Sequence, residues 1–210
     1  MISTRQLIAS LAVSGLALFA ASTVVAQGSK TPDGLIKGVS TDVLDVLKAD
    51  KSIQAGDIKK VTALVDQKVL PYVDFERMTA SAVGRYWRQA TPDQQKRLEN
   101  EFKLLLVRTY SGALSQVSQD QVVELKPMRS SPTDTEVVVR SEIRGKGDPI
   151  QLDYRLEKSG DSWKIYDVNV LGVWLVENYR NSFAQEIGAN GIESLIGKLA
   201  DRNKAAAAKS

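Results

Sequence analysis

Apolar residues recur at helical spacing through the first half of the chain. Residues 31–33 (Thr-Pro-Asp) predict a helix start, because a hydroxyl can cap the helix and proline suits its first position. A second helix is predicted from about residue 55 to residue 69, and Pro71 ends it. The first helix carries an apolar stripe of Leu35, Ile36, Val39, Val43, Val46 and Leu47.

Two further helices are predicted before the pattern changes. Asp74 can cap a short helix that runs through Ala82 and ends at Gly84. Residues 91–93 repeat the Thr-Pro-Asp signal and open a long helix to about residue 114. The apolar residues of this long helix are Leu98, Phe102, Leu105, Leu106, Val107 and Tyr110.

The next part of the chain alternates between apolar and polar residues, as β-strands do. Turn residues such as Gly145 and Gly147, or Ser159 and Gly160, separate the strand-like segments. The predicted strands cover residues 121–128, 135–144, 149–158 and 162–171. Each of the two central strands has one apolar and one charged face, which is typical of an antiparallel meander with one side toward water.

Helical spacing returns after Gly172 and predicts helices over residues 173–187 and 191–203. Helices, four strands and helices in that order predict an α+β fold. We expect a single domain over residues 27–204, a four-stranded antiparallel sheet with helices from both termini packed on one face. Residues 205–210 are predicted to form a disordered tail.

The first residues of the chain predict export. Arg5 is the only charged residue before Lys30, and residues 7–21 form an apolar run. Small or modest residues at 24–26 (Val-Val-Ala) complete the pattern of a secretory signal peptide. The run is shorter than the roughly 20 residues that span a bilayer. We therefore expect residues 1–26 to be cleaved and the remainder to be released into the periplasm.

Composition excludes several classes of function. The 28 basic and 25 acidic residues nearly balance, and no basic block suggests a nucleic-acid surface. The chain has no histidine and no cysteine, which excludes a Ser-His-Asp triad, a cysteine nucleophile and an ordinary zinc site. We predict no catalytic residue, no metal and no cofactor, and therefore a protein that is not an enzyme. We also expect the protein to be a monomer.

A few polar residues could nevertheless carry chemistry. Asp74 and Asp167 could act as bases, although a helix cap and a buried structural carboxylate are the favoured interpretations. Arg85 and Arg88, interleaved with aromatic residues, could contact a phosphate, although ordinary packing with a solvated charged face is favoured. Ser141 is predicted to lie on the apolar face of its strand. Its hydroxyl could be a hydrogen-bonded part of the core, or it could contact a polar group of a ligand. Spacing alone favours a filled core between sheet and helices, because periodicity cannot reveal a cavity.

Six short segments occur in a fixed order along the chain. They are residues 69–75 (VLPYVDF), 86–91 (YWRQAT), 101–102 (EF) with Leu104, Leu105 and Tyr110, 163–168 (WKIYDV), 172–173 (GV) and 178–183 (NYRNSF). These segments resemble the MlaC family of periplasmic phospholipid-binding proteins, also called the toluene-tolerance auxiliary family. The resemblance covers nearly the whole chain after the signal peptide. Trp174 departs from the family pattern, since a small residue such as serine is expected there.

This resemblance implies a domain shaped like the nuclear-transport-factor cone, with a cavity that holds the acyl chains of a glycerophospholipid. It implies a carrier that shuttles lipid between an outer-membrane lipoprotein–porin complex and an inner-membrane ABC transporter with a lipid-binding hexamer, maintaining outer-membrane lipid asymmetry. The expected lipid-binding residues are Tyr72, Val73, Phe75, Leu105, Leu106, Tyr110, Val137, Val139, Ser141, Ile143, Ile150, Leu152, Tyr154, Leu156, Val168 and Val173.

Three alternatives remain at this stage. The cargo could be a hopanoid or other isoprenoid lipid. The protein could be an enzyme that uses Asp74 or Asp167 as a base in an apolar pocket. It could also be a structural export protein with a filled core and no lipid.

Overall fold

A computed structural model describes residues 31–114, 117–131 and 133–207 of the chain. The predicted signal peptide, residues 1–26, lies outside the described residues. The first part is helical and comprises α1 (Pro32–Ala49), α2 (Lys51–Gln54), α3 (Ile58–Leu64), α4 (Phe75–Val83) and α5 (Pro92–Leu114). A sheet of β1 (Val122–Leu125), β2 (Glu136–Arg144), β3 (Ile150–Ser159), β4 (Ser162–Val170) and β5 (Val173–Trp174) follows, and then α6 (Leu175–Asn190) and α7 (Ile192–Ala207).

The predicted helix starts are confirmed by their caps. The Thr31 hydroxyl accepts a hydrogen bond from the Gly34 N–H at 3.3 Å, and the Asp74 carboxylate accepts one from the Arg77 N–H at 2.8 Å. At α5 the Thr91 hydroxyl and the Gln94 side chain each accept a hydrogen bond from the other's backbone N–H. These bonds satisfy donors that a helix leaves unpaired at its first turn.

The five strands form one antiparallel meander in the order β1-β2-β3-β4-β5. This confirms the predicted α+β class, although the sheet has five strands instead of four. The additional strand, β5, is two residues long and pairs Val173 with Val170 and Trp174 with Asn169. A strand this short shows no alternation, so the sequence placed its residues in the following helix, which begins at Leu175.

A bulge in β4 changes which of its residues face the helices. Arg155 pairs with Asp167 but Leu156 pairs with Ile165, so Tyr166 is an extra residue in β4. A bulge of this kind shifts the side-chain alternation by one position. Ile165 and Val168 therefore both lie on the apolar face of the sheet, whereas Tyr166 and Asp167 lie on the other face.

Three groups of buried apolar residues hold the elements together. The helical core joins α4, α5, α6 and α7, and Phe102 lies at its centre, with ring centroids 5.1 Å from Tyr179 and 5.4 Å from Phe183. The sheet core joins α1 to the sheet through Leu35, Ile36, Val137, Val139, Leu156, Trp163 and Ile165. The third group joins α1, α2, α3 and α5 through Leu47, Ile53, Val61, Leu64 and Val107.

The C-terminal helix is longer than the sequence predicts. Helix α7 continues through Ala207, so three residues of the predicted tail are helical, because the run of alanines after Lys204 favours helix. Residues 208–210 lie outside the described residues. Within the described residues, no helix combines the length and apolar character needed to cross a bilayer.

We predict that Phe102→Ala lowers the free energy of unfolding by about 3–5 kcal/mol, because the ring is 0% exposed and central to the helical core. Val138→Ala, on the face of the sheet away from the helices, is the control and should change it by no more than about 0.5 kcal/mol. Urea unfolding followed by circular dichroism measures both. A loss below about 1 kcal/mol for Phe102→Ala would show that this cluster does not hold the helices together.

Candidate functional site

An apolar cavity of about 260 Å³ lies between the sheet core and the third group of buried residues. One wall is α1, whose lining positions follow helical spacing and so form one face. The opposite walls are the C-terminal end of α5 and the apolar face of β2, β3 and β4. The lining residues are Ile36, Val39, Ser40, Val43, Leu44, Leu47, Val69, Val73, Tyr110, Ala113, Leu114, Val117, Gln121, Ile143, Ile150, Leu152, Tyr154, Ile165, Val168 and Val170.

The lining is almost entirely hydrocarbon. Its polar side chains are those of Ser40, Gln121, Tyr110 and Tyr154, and within the described part of the chain no charged residue contributes to it. A cavity of this kind has few partners for water or for an ion, and it favours an apolar ligand.

A small group of hydroxyls lies at one point of this wall. The hydroxyls of Ser40 on α1 and Tyr154 on β3 are 3.4 Å apart, and the Ser141 hydroxyl donates to the Leu152 carbonyl at 2.8 Å. Burial raises the pKa of the Tyr154 phenol, while hydrogen bonding to Ser40 and Ser141 acts in the opposite direction. The phenol is therefore neutral at physiological pH and links α1 to the sheet.

The cavity has an exposed end and a closed end along the sheet. Ile143, Ile150 and Val170 line it where β2, β3 and β4 meet the exposed turns. Beyond Val170 the chain carries exposed apolar side chains, with Leu171 65% and Val173 46% exposed. At the other end the fully buried Val139 and Leu156 do not line the cavity and pack in the sheet core. The cavity thus runs from an apolar rim toward the sheet core.

Helix α1 is tied along the edge of the sheet by its lysines. The Lys48 ammonium donates to the Gln121 carbonyl at 2.6 Å, and the Lys37 ammonium donates to the Val123 carbonyl. These bonds cover carbonyls at the open edge of β1, where a strand would otherwise present unpaired groups. They also fix the distance between α1 and the sheet, and with it the width of the cavity.

The structure brings part of the predicted residue set together and separates the rest. The predicted residues that line the cavity are Val73, Tyr110, Ile143, Ile150, Leu152, Tyr154 and Val168. Tyr72, Val137, Val139 and Leu156 pack in the sheet core instead, and Phe75, Leu105 and Leu106 pack in the helical core. Ser141 is buried beside Tyr154, and Val173 is exposed on β5.

Strand alternation identifies the apolar face of the sheet but not where along that face the packing stops, which explains these differences. The sequence prediction also omitted the whole wall formed by α1 and the residues at the end of α5, although the apolar stripe of α1 was visible in the sequence. The spacing of apolar residues in α1 cannot show that the helix stands away from the sheet, because the same spacing would occur if its side chains filled the gap between helix and sheet.

The two carboxylates considered as bases have structural roles. Asp74 caps α4. Asp167 is 1% exposed. Its carboxylate accepts hydrogen bonds from the backbone N–H groups of Val168 at 2.9 Å and Val176 at 3.1 Å. It also accepts one from the Arg155 guanidinium at 3.0 Å. Burial raises the pKa of Asp167, and the Val176 N–H and Arg155 oppose that shift. The Arg155 guanidinium also lies 4.0 Å from the centre of the Trp174 ring and forms a cation–π contact with it. Trp174 is the residue that departs from the family pattern.

The arginines considered as phosphate contacts line a different concavity. Arg85 and Arg88, with Arg77 and Arg180, border a surface groove of about 540 Å³ beside α4 and α6. This groove shares no lining residue with the apolar cavity.

Comparison with known proteins identifies relatives over most of the chain. A family model described as MlaC protein matches residues 37–201. The toluene tolerance protein ttg2D of Pseudomonas putida is 27% identical over 198 residues, which cover 91% of this chain and 92% of that protein. The intermembrane phospholipid transport system binding protein MlaC of Haemophilus influenzae is 24% identical over 181 residues, which cover 84% of this chain and 83% of that protein.

A solved structure has the same fold. The phospholipid-binding protein from Ralstonia solanacearum, in complex with a phospholipid, superposes with a TM-score of 0.79 at 46% identity. The match covers 83% of this chain and 98% of that one.

We predict that Asp167→Ala lowers the free energy of unfolding by about 1–3 kcal/mol, because the backbone N–H of Val176 and the Arg155 guanidinium lose their buried acceptor. Asp167→Asn retains an oxygen acceptor and should lose less. Urea unfolding at neutral pH compares the two variants with the wild type. An Asp167→Ala variant as stable as the wild type would contradict the structural role of this carboxylate.

Proposed function

Because the chain belongs to the MlaC family, we propose that it is a periplasmic phospholipid-binding protein that holds acyl chains in the apolar cavity between α1 and the sheet. The observation that carries this proposal is the cavity lining, which offers hydrocarbon along its length and no charged side chain among the described residues. The relative from Ralstonia solanacearum, which was solved with a phospholipid, supports the same cargo. That finding favours a glycerophospholipid over a hopanoid or other isoprenoid lipid.

The physical need for such a carrier follows from the hydrophobic effect. At about 0.8 kcal/mol per methylene, exposing two acyl chains of roughly 30 methylenes to water costs on the order of 20 kcal/mol. Lipid monomers are therefore too rare in water to cross an aqueous compartment unaided. The same magnitude makes spontaneous release slow, so a docked partner must offer the chains another apolar path.

The partners in this proposal are an outer-membrane lipoprotein–porin complex and an inner-membrane ABC transporter with a lipid-binding hexamer. The Haemophilus influenzae relative, named as the binding protein of an intermembrane phospholipid transport system, supports a place in such a pathway. The secretory pattern of residues 1–26 supports a periplasmic location. In this role the monomeric protein would shuttle lipid between the two membranes and maintain the lipid asymmetry of the outer membrane.

The volume of the cavity bears on how lipid enters. Pockets that hold drug-sized ligands have volumes of about 300–1,000 Å³, and a phospholipid with two chains is larger than such a ligand. A cavity of about 260 Å³ is too small for it. In this proposal, α1 and the sheet separate when lipid enters, which loosens the lysine contacts to β1 and the contact between Ser40 and Tyr154.

We predict that Val43→Trp reduces lipid uptake by at least about tenfold, since an indole inside the cavity takes the place of chain methylenes. The matched control is Val138→Trp, which places the same side chain on the far face of the sheet, where Val138 is 40% exposed. Uptake of a fluorescent phospholipid from vesicles by the purified proteins measures the effect, and circular dichroism verifies that both variants are folded. Equal uptake by both variants would contradict the assignment of this cavity as the lipid site.

A further inference from the structure

We propose that the rim turn, formed by Leu171 and Gly172 between β4 and β5, enters the surface of a phospholipid bilayer when the protein takes up or releases lipid. This proposal rests on the proposed function, and it adds the surface through which the cavity meets a membrane.

The rim turn holds a leucine in a backbone conformation that leucine disfavours. Val170 and Val173 pair across the hairpin, so only two residues connect β4 to β5. Both have positive φ, 52° for Leu171 and 89° for Gly172, and Leu171 is the only residue other than glycine with positive φ in the described part of the chain. A two-residue turn of this kind favours asparagine or aspartate followed by glycine, because a bulky side chain at positive φ collides with the backbone. Leucine at this position therefore opposes folding.

Hydrogen bonds hold the rim turn in this conformation. The Gly172 N–H donates to the side-chain oxygen of the buried Asn169 at 2.8 Å, and the Leu171 N–H donates to the Gln151 carbonyl at 3.1 Å. The Leu171 side chain is nevertheless 65% exposed, so it gains little packing to offset the backbone strain. Strain that the fold itself does not need is a sign of function.

The rim turn lies at the exposed end of the cavity. Val170 lines the cavity, and Val173 lies on the same face of the sheet, because directly opposed residues of an antiparallel pair share a face. Val173 is 46% exposed. Apolar surface therefore continues from the cavity lining at Val170 to Val173 and Leu171, at the outermost point of the hairpin.

The size of this apolar surface favours a bilayer over a protein as its partner. A stable protein interface buries about 800 Å² on each side, whereas even a whole aromatic side chain buries only about 150–250 Å². The rim turn and β5 offer one leucine and one valine. Entry of a single leucine into hydrocarbon is worth about tenfold to a hundredfold in a binding constant. A contact of that strength brings the cavity to the edge of the hydrocarbon and remains reversible, as a carrier requires.

The first test separates the apolar side chain from the strain of the turn. Leu171→Asn removes the apolar side chain and suits positive φ, whereas Leu171→Phe keeps both the apolar character and the strain. Val138→Asn, which removes an exposed apolar side chain from the far face of the sheet, is the matched control. Each purified protein is mixed with vesicles of phosphatidylethanolamine and phosphatidylglycerol that contain a fluorescent phospholipid, and the rate of uptake is measured. Urea unfolding gives the stability of each protein.

We expect Leu171→Asn to raise the folding equilibrium constant by about fivefold, because the strain is relieved. The same variant should take up lipid about tenfold more slowly, because it no longer enters the bilayer. Leu171→Phe and Val138→Asn should retain the wild-type rate. A variant that gains stability and loses uptake cannot owe the loss to misfolding.

The second test detects contact with the bilayer directly. The chain has no cysteine, so Leu171→Cys carries a single environment-sensitive fluorophore on the rim turn. Val138→Cys carries the same label on the far face of the sheet. Adding the vesicles should shift the emission of the label at residue 171 to shorter wavelength and leave the emission of the label at residue 138 unchanged.

Several results would overturn this proposal alone. They are a wild-type rate of uptake for Leu171→Asn, a Leu171→Asn variant no more stable than the wild type, and an unchanged emission at residue 171. Slower uptake by Leu171→Asn only from vesicles that also carry the ABC transporter would assign the rim turn to a protein surface instead.

The failure of the proposed function is distinguishable from these results. A wild-type protein that is purified with a bound phospholipid, yet takes none from protein-free vesicles, would overturn the bilayer contact and leave the proposed function standing. A wild-type protein that is purified without phospholipid and gains none would overturn both.

Discussion

The apolar face of β2, β3 and β4 must be kept from water, and α1 covers it without filling the space beneath. At the buried end, Leu35 and Ile36 of α1 pack directly on the sheet core. Further along, α1 stands away from the sheet, held at its edge by Lys48 and Lys37 and inside by the Ser40–Tyr154 contact. Polar contacts thus set a separation that apolar packing alone would close, and the cavity depends on that separation.

The rest of the molecule provides a rigid support for this arrangement. The helical core around Phe102 packs α4, α5, α6 and α7 together and contributes no fully buried residue to the cavity lining. On the far face of the sheet, Asp167 and Arg155 fix the start of α6 against β4. Because no residue of α1 belongs to the helical core, α1 can move relative to the sheet without disrupting that core.

The sequence predicted the elements better than the space between them. Capping residues such as Thr31 and Thr91 and the alternation in β2 and β3 identified most boundaries and the α+β class. The two-residue strand β5 has no alternation to detect, and the bulge at Tyr166 depends on pairing that one strand alone does not reveal. Leu105 and Val139 are as apolar as Leu152, yet they lie in solid core, because whether facing surfaces touch depends on distances set by other residues.

The most direct measurement is native mass spectrometry of the protein purified after export, followed by extraction and identification of any bound lipid. The account predicts a stoichiometric adduct with the mass of a glycerophospholipid, whose extracted mass also gives the number and length of its chains. An adduct that proves to be a hopanoid or other isoprenoid would contradict the proposed cargo. A clean mass of the protein alone, unchanged after incubation with phospholipid vesicles, would contradict the claim that the cavity binds lipid.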